Sequence, residues 1–237
     1  MLRLRTFGGL TLLQDGELIT GAPTQRRQLA LLALLAVAGD EGMSRDKILA
    51  YLWPERDTEH ARHLLNQLLY IQRHLNGDSD ALDGRKTLRL LPSLVENDVH
   101  AFDSALASGR PEAAMEVYRG PFLDGFFLDG AAEFETWVTD WRERFAHRYL
   151  RALHKLALQA TEAGEYDVAL EWRRRAVSVD PLNGHLVGVH VEALLLCGNR
   201  AGARRALLAH RERLQRELGM EPDPHLAQLE ARIIAGH

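Results

Sequence analysis

One stretch limits the fold of this chain more than any other: DTEHARHLLNQLLYIQRHL, residues 57–75. Ala61, Leu64, Leu68, Ile71 and Leu75 recur at steps of three or four, the apolar stripe of an α-helix. Asp57 or Thr58 can cap its start, because a short side-chain oxygen accepts a backbone N–H that the helix leaves unpaired. The opposite face carries Arg62, His63, Asn66, Gln67, Tyr70 and Arg73, with Leu65 and Leu69 flanking it. An ordinary solvated face is richer in Glu and Lys. Amides, arginines, a histidine and a tyrosine are side chains that hydrogen-bond base edges and phosphates.

The segments around this helix supply its context. Leu2, Leu4 and Thr6 alternate with Arg3, Arg5 and Phe7, the period of a strand. Asp15-Gly16 marks a hairpin, so the chain opens with a small antiparallel sheet. After Pro23-Thr24, residues 25–38 are apolar almost all round and predict a core helix ended by Gly39. Ser44 caps a short helix over 45–52, stopped by Trp53-Pro54. The stretch over 57–75 then ends near Asn76-Gly77. Next come two short strands, 81–82 and 87–91, around the turn Asp83-Gly84-Arg85-Lys86. Lys86 and Arg89 are cations on or beside that hairpin. Sheet, three helices, hairpin is the order of a winged helix, in which the last helix enters a major groove and the wing holds backbone.

Pro92 to His100 reads as a linker, and from Ala101 onward the chain is helical. Helices are expected over 101–108 and 111–118, paired around Gly109. Residues 120–130 are irregular and aromatic, with phenylalanines expected to pack inward. A long helix over 133–163 carries Trp137, Trp141, Phe145 and Tyr149 as a core ladder. Gly164, Ala169, Ala176 and Pro181 fall at the offsets of a tetratricopeptide helix pair, with Leu156 and Ala157 in its first helix. Gly198 and Ala203 repeat the step 34 residues on, Gly109 and Ala114 show it earlier, and His210 stands where Ala176 would recur. Stacked pairs of this kind build a partner-binding surface.

The fold class is therefore mainly α: a winged helix-turn-helix over 1–98, then an all-α tetratricopeptide-like domain over 99–237. Composition narrows the function. The 237 residues are 46% hydrophobic and 26% charged, ordinary for a globular chain. Leu29 to Ala38 is too short to span a bilayer, and the N-terminus lacks the apolar run of a signal peptide. One cysteine, Cys197, excludes an internal disulfide framework and fits a reducing cytoplasm; it is expected to be buried and inert. The net charge is −4; residues 1–98 hold 12 Lys and Arg against 13 Asp and Glu. Phosphate neutralisation must then come from a local patch, with two or more copies on DNA.

No phosphate-cradling glycine loop and no zinc-holding cysteine pair is present. His60 and His63 have no third ligand placed with them, and Asp124 and Asp129, each before glycine, are turn formers. Neither an enzyme, nor a metal site, nor a cofactor is expected.

Five segments stand out together: the opening LRLRTFGGL, Leu52-Trp53-Pro54, Ala61-Arg62 through Leu75, Tyr118-Arg119-Gly120-Pro121-Phe122-Leu123, and the closing Glu-Leu-Gly-Met-Glu-Pro at 217–222. In these the sequence resembles the Streptomyces antibiotic regulatory protein (SARP) type of bacterial transcriptional activator. The resemblance implies a winged helix like that of the OmpR class joined to a bacterial transcriptional activator domain. It also implies binding to direct repeats in double-stranded DNA near a promoter and contact with an RNA polymerase subunit. DNA-binding positions carried over are Arg62, His63, Asn66, Gln67, Tyr70 and Arg73, with Arg85 and Lys86 on the wing. A homodimer, at least on DNA, and no membrane partner are expected. Many relatives continue into an ATPase or further repeats, so the resemblance implies a short member or a fragment. The rival reading is a protein-interaction adaptor whose winged helix has lost DNA binding, with Leu65 and Leu69 as its interface.

Overall fold

The computed structural model describes residues 1–21, 25–74 and 81–235. Leu75, the Asn76-Gly77 stop and Pro23-Thr24 lie outside the described residues. The described chain is mainly helical, with its strands confined to the first part. By packing it divides into two units, Met1–His147 and Arg148–His237.

The first unit opens on strands β1 (Leu2–Arg5), β2 (Thr11–Gln14) and β3 (Glu17–Leu18). The turn between β2 and β3 has positive φ at Asp15 and Gly16, the hairpin geometry that Asp-Gly favours. Leu2, Leu4 and Leu12 face the core, and Arg3 and Arg5 face outward, as the strand period requires. α1 (Arg26–Ala38) is buried over most of its length. β4 (Met43–Ser44) leads into α2 (Arg45–Leu52), whose start is capped by Ser44 Oγ accepting from the Lys47 N–H at 3.3 Å. α3 (Thr58–His74) follows, and then the wing strands β5 (Leu82–Asp83) and β6 (Thr87–Leu90). β6 lies between β4 and β5 in a three-stranded sheet.

The expected linker at 92–100 is not a linker. Val95–Asn97 form β7, which pairs in parallel with β1 (Leu2 beside Val95, Leu4 beside Asn97). Asp98 opens α4 (Asp98–Ala107). Its carboxylate accepts from the backbone N–H of Thr6 at 2.8 Å and of Phe7 at 3.0 Å, and from the Thr6 hydroxyl at 2.6 Å. The local sequence hides this because every partner lies more than ninety residues away.

α5 (Pro111–Val117) and the first part of α6 (Ala132–Glu162) complete the first unit. Phe7 is its aromatic centre, with ring centroids of Phe102, Tyr118, Phe122 and Phe145 between 4.8 and 6.3 Å away. Arg142 holds the irregular segment in place by donating to the carbonyls of Phe122 at 2.7 Å and Leu123 at 2.6 Å. Gly8 and Gly120 cross so closely that a Cβ on Gly120 would lie 3.0 Å from the Gly8 Cα. Phe122 and Phe126 pack inward as expected; Phe127 does not, and is 56% exposed. Packing therefore does not divide the chain at residue 98.

In the second unit, the last turns of α6 are followed by α7 (Tyr166–Val179), α8 (Gly184–Leu196), α9 (Arg200–Leu218) and α10 (Pro224–Ala235); α7 packs on α8, α8 on α9, and α10 on both α8 and α9. Gly164 and Gly198 end their helices with the same pair of backbone hydrogen bonds: the glycine N–H donates three residues back and the next N–H donates five back. Gly109 repeats the pattern in the first unit. Ala169 and Ala203, each five residues after its glycine, are buried. His210 is tolerated where alanine was expected because its Nδ1 donates to the Pro181 carbonyl at 3.0 Å. Val187, Val191, Leu207, Leu226, Leu229 and Ile233 form the core that α10 closes. Gly219 caps α9 in the left-handed conformation, so the Glu-Leu-Gly-Met-Glu-Pro segment is the corner into α10. Cys197 is exposed, contrary to expectation. It falls at the C-terminal cap of α8, past the buried Leu194 and beside Leu196, which is 86% exposed.

Candidate nucleic-acid interface

α3 is the centre of the candidate site. Asp57 caps it, accepting from the His60 N–H at 2.9 Å. Its buried side is Ala61, Leu65, Leu68, Leu69 and Gln72. This corrects the expected stripe. Leu65 and Leu69 do not flank the polar face; they are core residues, 0% and 7% exposed, while Leu64 and Ile71 are only half-buried. The phase was ambiguous because leucine pairs at 64–65 and 68–69 fit either side. Gln72, an amide, lies fully buried on this side. Gln28 on α1 donates to its Oε1 at 2.6 Å. Among the described residues the pair is only half satisfied, since Gln72 Nε2 and Gln28 Oε1 are buried without a partner.

The polar face itself stands where the spacing put it. Arg62, His63, Asn66, Gln67, Tyr70 and Arg73 are all exposed along α3, and Arg85 and Lys86 are exposed at the tip of the wing. Gly84 permits that tip: it has φ of +106°, and a Cβ there would lie 1.8 Å from the Thr87 carbonyl oxygen. The side chains are not equally available. Gln67 Nε2 donates to His63 Nε2 at 3.0 Å, one helical turn apart. Arg62 lies 3.6 Å from the Asp46 carboxylate, with both groups largely in solvent. Arg89, the other cation near the hairpin, is spent inside it. It faces Asp83 across the β5–β6 pair and donates twice to the same carboxylate oxygen, at 3.0 and 2.6 Å. That hydrogen bonding, with the charge of Arg89, holds the Asp83 carboxyl below the usual carboxylate range. Among the described residues, Arg85 and Lys86 have no ion-pair partner.

One residue of the site was not legible in the sequence. Arg45, the first residue of α2, donates through Nη1 to Asn66 Oδ1 at 3.0 Å and through Nε to the Arg85 carbonyl at 2.7 Å. Its own N–H donates to the Lys86 carbonyl at 3.0 Å. It therefore ties the start of α2, the middle of α3 and the tip of the wing together. Arginine is a donor only, so Asn66 must turn its oxygen toward Arg45. The Asn66 amide NH2 and the second lone pair of that oxygen remain for a ligand. No local spacing signals a contact between positions 45, 66 and 85.

Together these elements form an exposed row of hydrogen-bonding side chains on one helix, with two cations beside it that are unpaired among the described residues. Such an array suits a polyanion that displays donors and acceptors. Among the described residues no group of three or more His, Cys, Asp or Glu side chains is placed to hold a metal. No described helix is long and apolar enough to cross a membrane.

Residues 86–234 match the family described as bacterial transcriptional activator domain. The fold is similar to a solved structure of Mycobacterium tuberculosis EmbR in complex with a low-affinity phosphopeptide, with a TM-score of 0.66 and 22% sequence identity. The match covers 100% of this chain and 65% of that one, so this chain spans less than two thirds of its length. No curated protein matches the sequence.

Proposed function

The chain belongs to the bacterial transcriptional activator domain family, and on that premise we propose that it activates transcription by binding double-stranded DNA through α3 and the wing. The family match bears out the SARP resemblance at the level of the regulator class. In this reading α3 lies in the major groove. Asn66 and Gln67 meet adenine edges, Arg62 or Arg73 meets guanine or phosphate, and His63 and Tyr70 complete the face. Arg85 and Lys86 hold the phosphate backbone beside the groove. Residues 1–98 are assigned to DNA and residues 99–237 to the activator role: pairing copies on DNA and receiving an RNA polymerase subunit, in the cytoplasm.

The single observation that carries the proposal is the coincidence of two surfaces. All six polar positions of α3 are exposed together, and Arg45 bonds both that face and the backbone of the cationic wing tip. The adaptor reading loses one of its two supports, because Leu65 and Leu69 are buried in the core and offer no interface; the near-neutral charge of residues 1–98 is the other. Selection of bound duplexes from a random pool, at two salt concentrations, tests the proposal. Enrichment of a spaced direct repeat, weakened by salt, is expected. No enrichment at low salt would put the adaptor reading ahead of the DNA-binding one.

A further inference from the structure

A cleft of about 450 Å3 lies against the β1–β7 pair, walled by the start of α4 and the end of α5. Its volume falls among small-molecule sites, which run from about 300 to 1,000 Å3. It shares no residue with α3 or the wing strands. Ala101, Val117 and Pro92 give it apolar walls.

Its charges are unevenly matched. Arg3 is satisfied by Glu96, donating to one carboxylate oxygen at 3.0 and 2.8 Å. The Asp98 carboxylate, also in the lining, is occupied by its three hydrogen bonds from Thr6 and Phe7. His100 Nε2 lies 3.3 Å from the Ser104 hydroxyl. Arg5 and Arg119 differ: among the described residues nothing accepts a hydrogen bond from either guanidinium, and neither has an ion pair. Arginine does not lose its proton, so two cationic residues line the same cleft as these apolar ones. A guanidinium fork matches a carboxylate in shape as well as charge. An inorganic anion would answer the arginines and leave the apolar walls wet. A neutral hydrocarbon would do the reverse.

We infer that this cleft binds a small amphipathic organic carboxylate, its apolar body against Val117 and Ala101 and its carboxylate held by Arg5 and Arg119. The site stands whether or not α3 binds DNA.

The test uses the whole chain and the fluorescent probe 1-anilinonaphthalene-8-sulfonate, an apolar body with one anionic group. Binding is expected to saturate at one site and to be reversed by decanoate but not by decanol. Combining Arg5→Ala with Arg119→Ala should weaken it by about tenfold or more, the scale of a lost charge-assisted hydrogen bond. Val117→Trp should remove it by filling the cleft, with the melting temperature of each variant showing that the fold persists. A signal that does not saturate, that decanol reverses as well as decanoate does, or that survives both changes would overturn the assignment.

Discussion

Arg45 carries more of the proposed interface than any residue on α3 itself. It holds Asn66 in one orientation and anchors the wing by a side-chain and a backbone hydrogen bond. Arg45→Ala is predicted to lower affinity for the selected duplex by about tenfold, and to relax discrimination at the base that Asn66 meets. Arg45→Lys keeps the charge but loses the fork, so it should restore the general affinity and not the discrimination. Competition binding against single-base variants of the site separates the two effects. If Arg45→Ala leaves the preference profile unchanged, Asn66 is not oriented by it. The sequence could name the exposed positions of α3, because periodicity reports a face. It could not name Arg45, whose partners lie 21 and 40 residues away.

At the scale of elements, the phase of α3 decides between two functions. With Leu69 in the core, Leu69→Ala should cost about 2–5 kcal/mol, the range for truncating a buried leucine. An interface leucine would leave the isolated chain as stable as the parent, so one urea denaturation curve distinguishes the cases. The elements were legible where their signals are local: the Ser44 cap, the Asp-Gly turns, the repeated glycine-to-alanine step. They were not legible where a distant partner decides. β7 pairs with β1 from more than ninety residues away, and Gln72 is buried against Gln28, 44 residues away. α8 makes a further prediction. Burial, and to a lesser degree the nearby charges of Arg173 and Arg174, push His190 below its ordinary value of 6.5, and its Nδ1 is buried without a hydrogen-bond partner. The folded chain then resists a proton that the unfolded chain accepts. His190 therefore takes stability away as pH falls below about 6.5, down to its folded value. Relative to the parent, His190→Leu should gain melting temperature between about pH 7.5 and about pH 5.5. A constant difference between the two proteins would contradict this.

For the whole molecule the governing quantity is charge. A chain with a net charge of −4 does not bind duplex DNA by general attraction. In the proposed mode, affinity would come from the few cations around α3 and the wing, multiplied by two or more copies on adjacent repeats. Composition made that constraint visible at once. The division of labour at residue 98 also came from the order of motifs, whereas packing follows a different line, because β7, Asp98 and the Phe7 cluster join the two sides of that boundary. In the proposed mode α3 and the wing bind DNA, with the wing on phosphate. The most direct test is the salt dependence of duplex binding by the parent and by Lys86→Ala, read by fluorescence anisotropy on one selected site. Affinity is expected to fall as salt rises, and Lys86→Ala to weaken binding to every sequence alike and lower the salt slope by about one. A parent that does not bind at low salt, or a Lys86→Ala slope equal to the parent's, would contradict it.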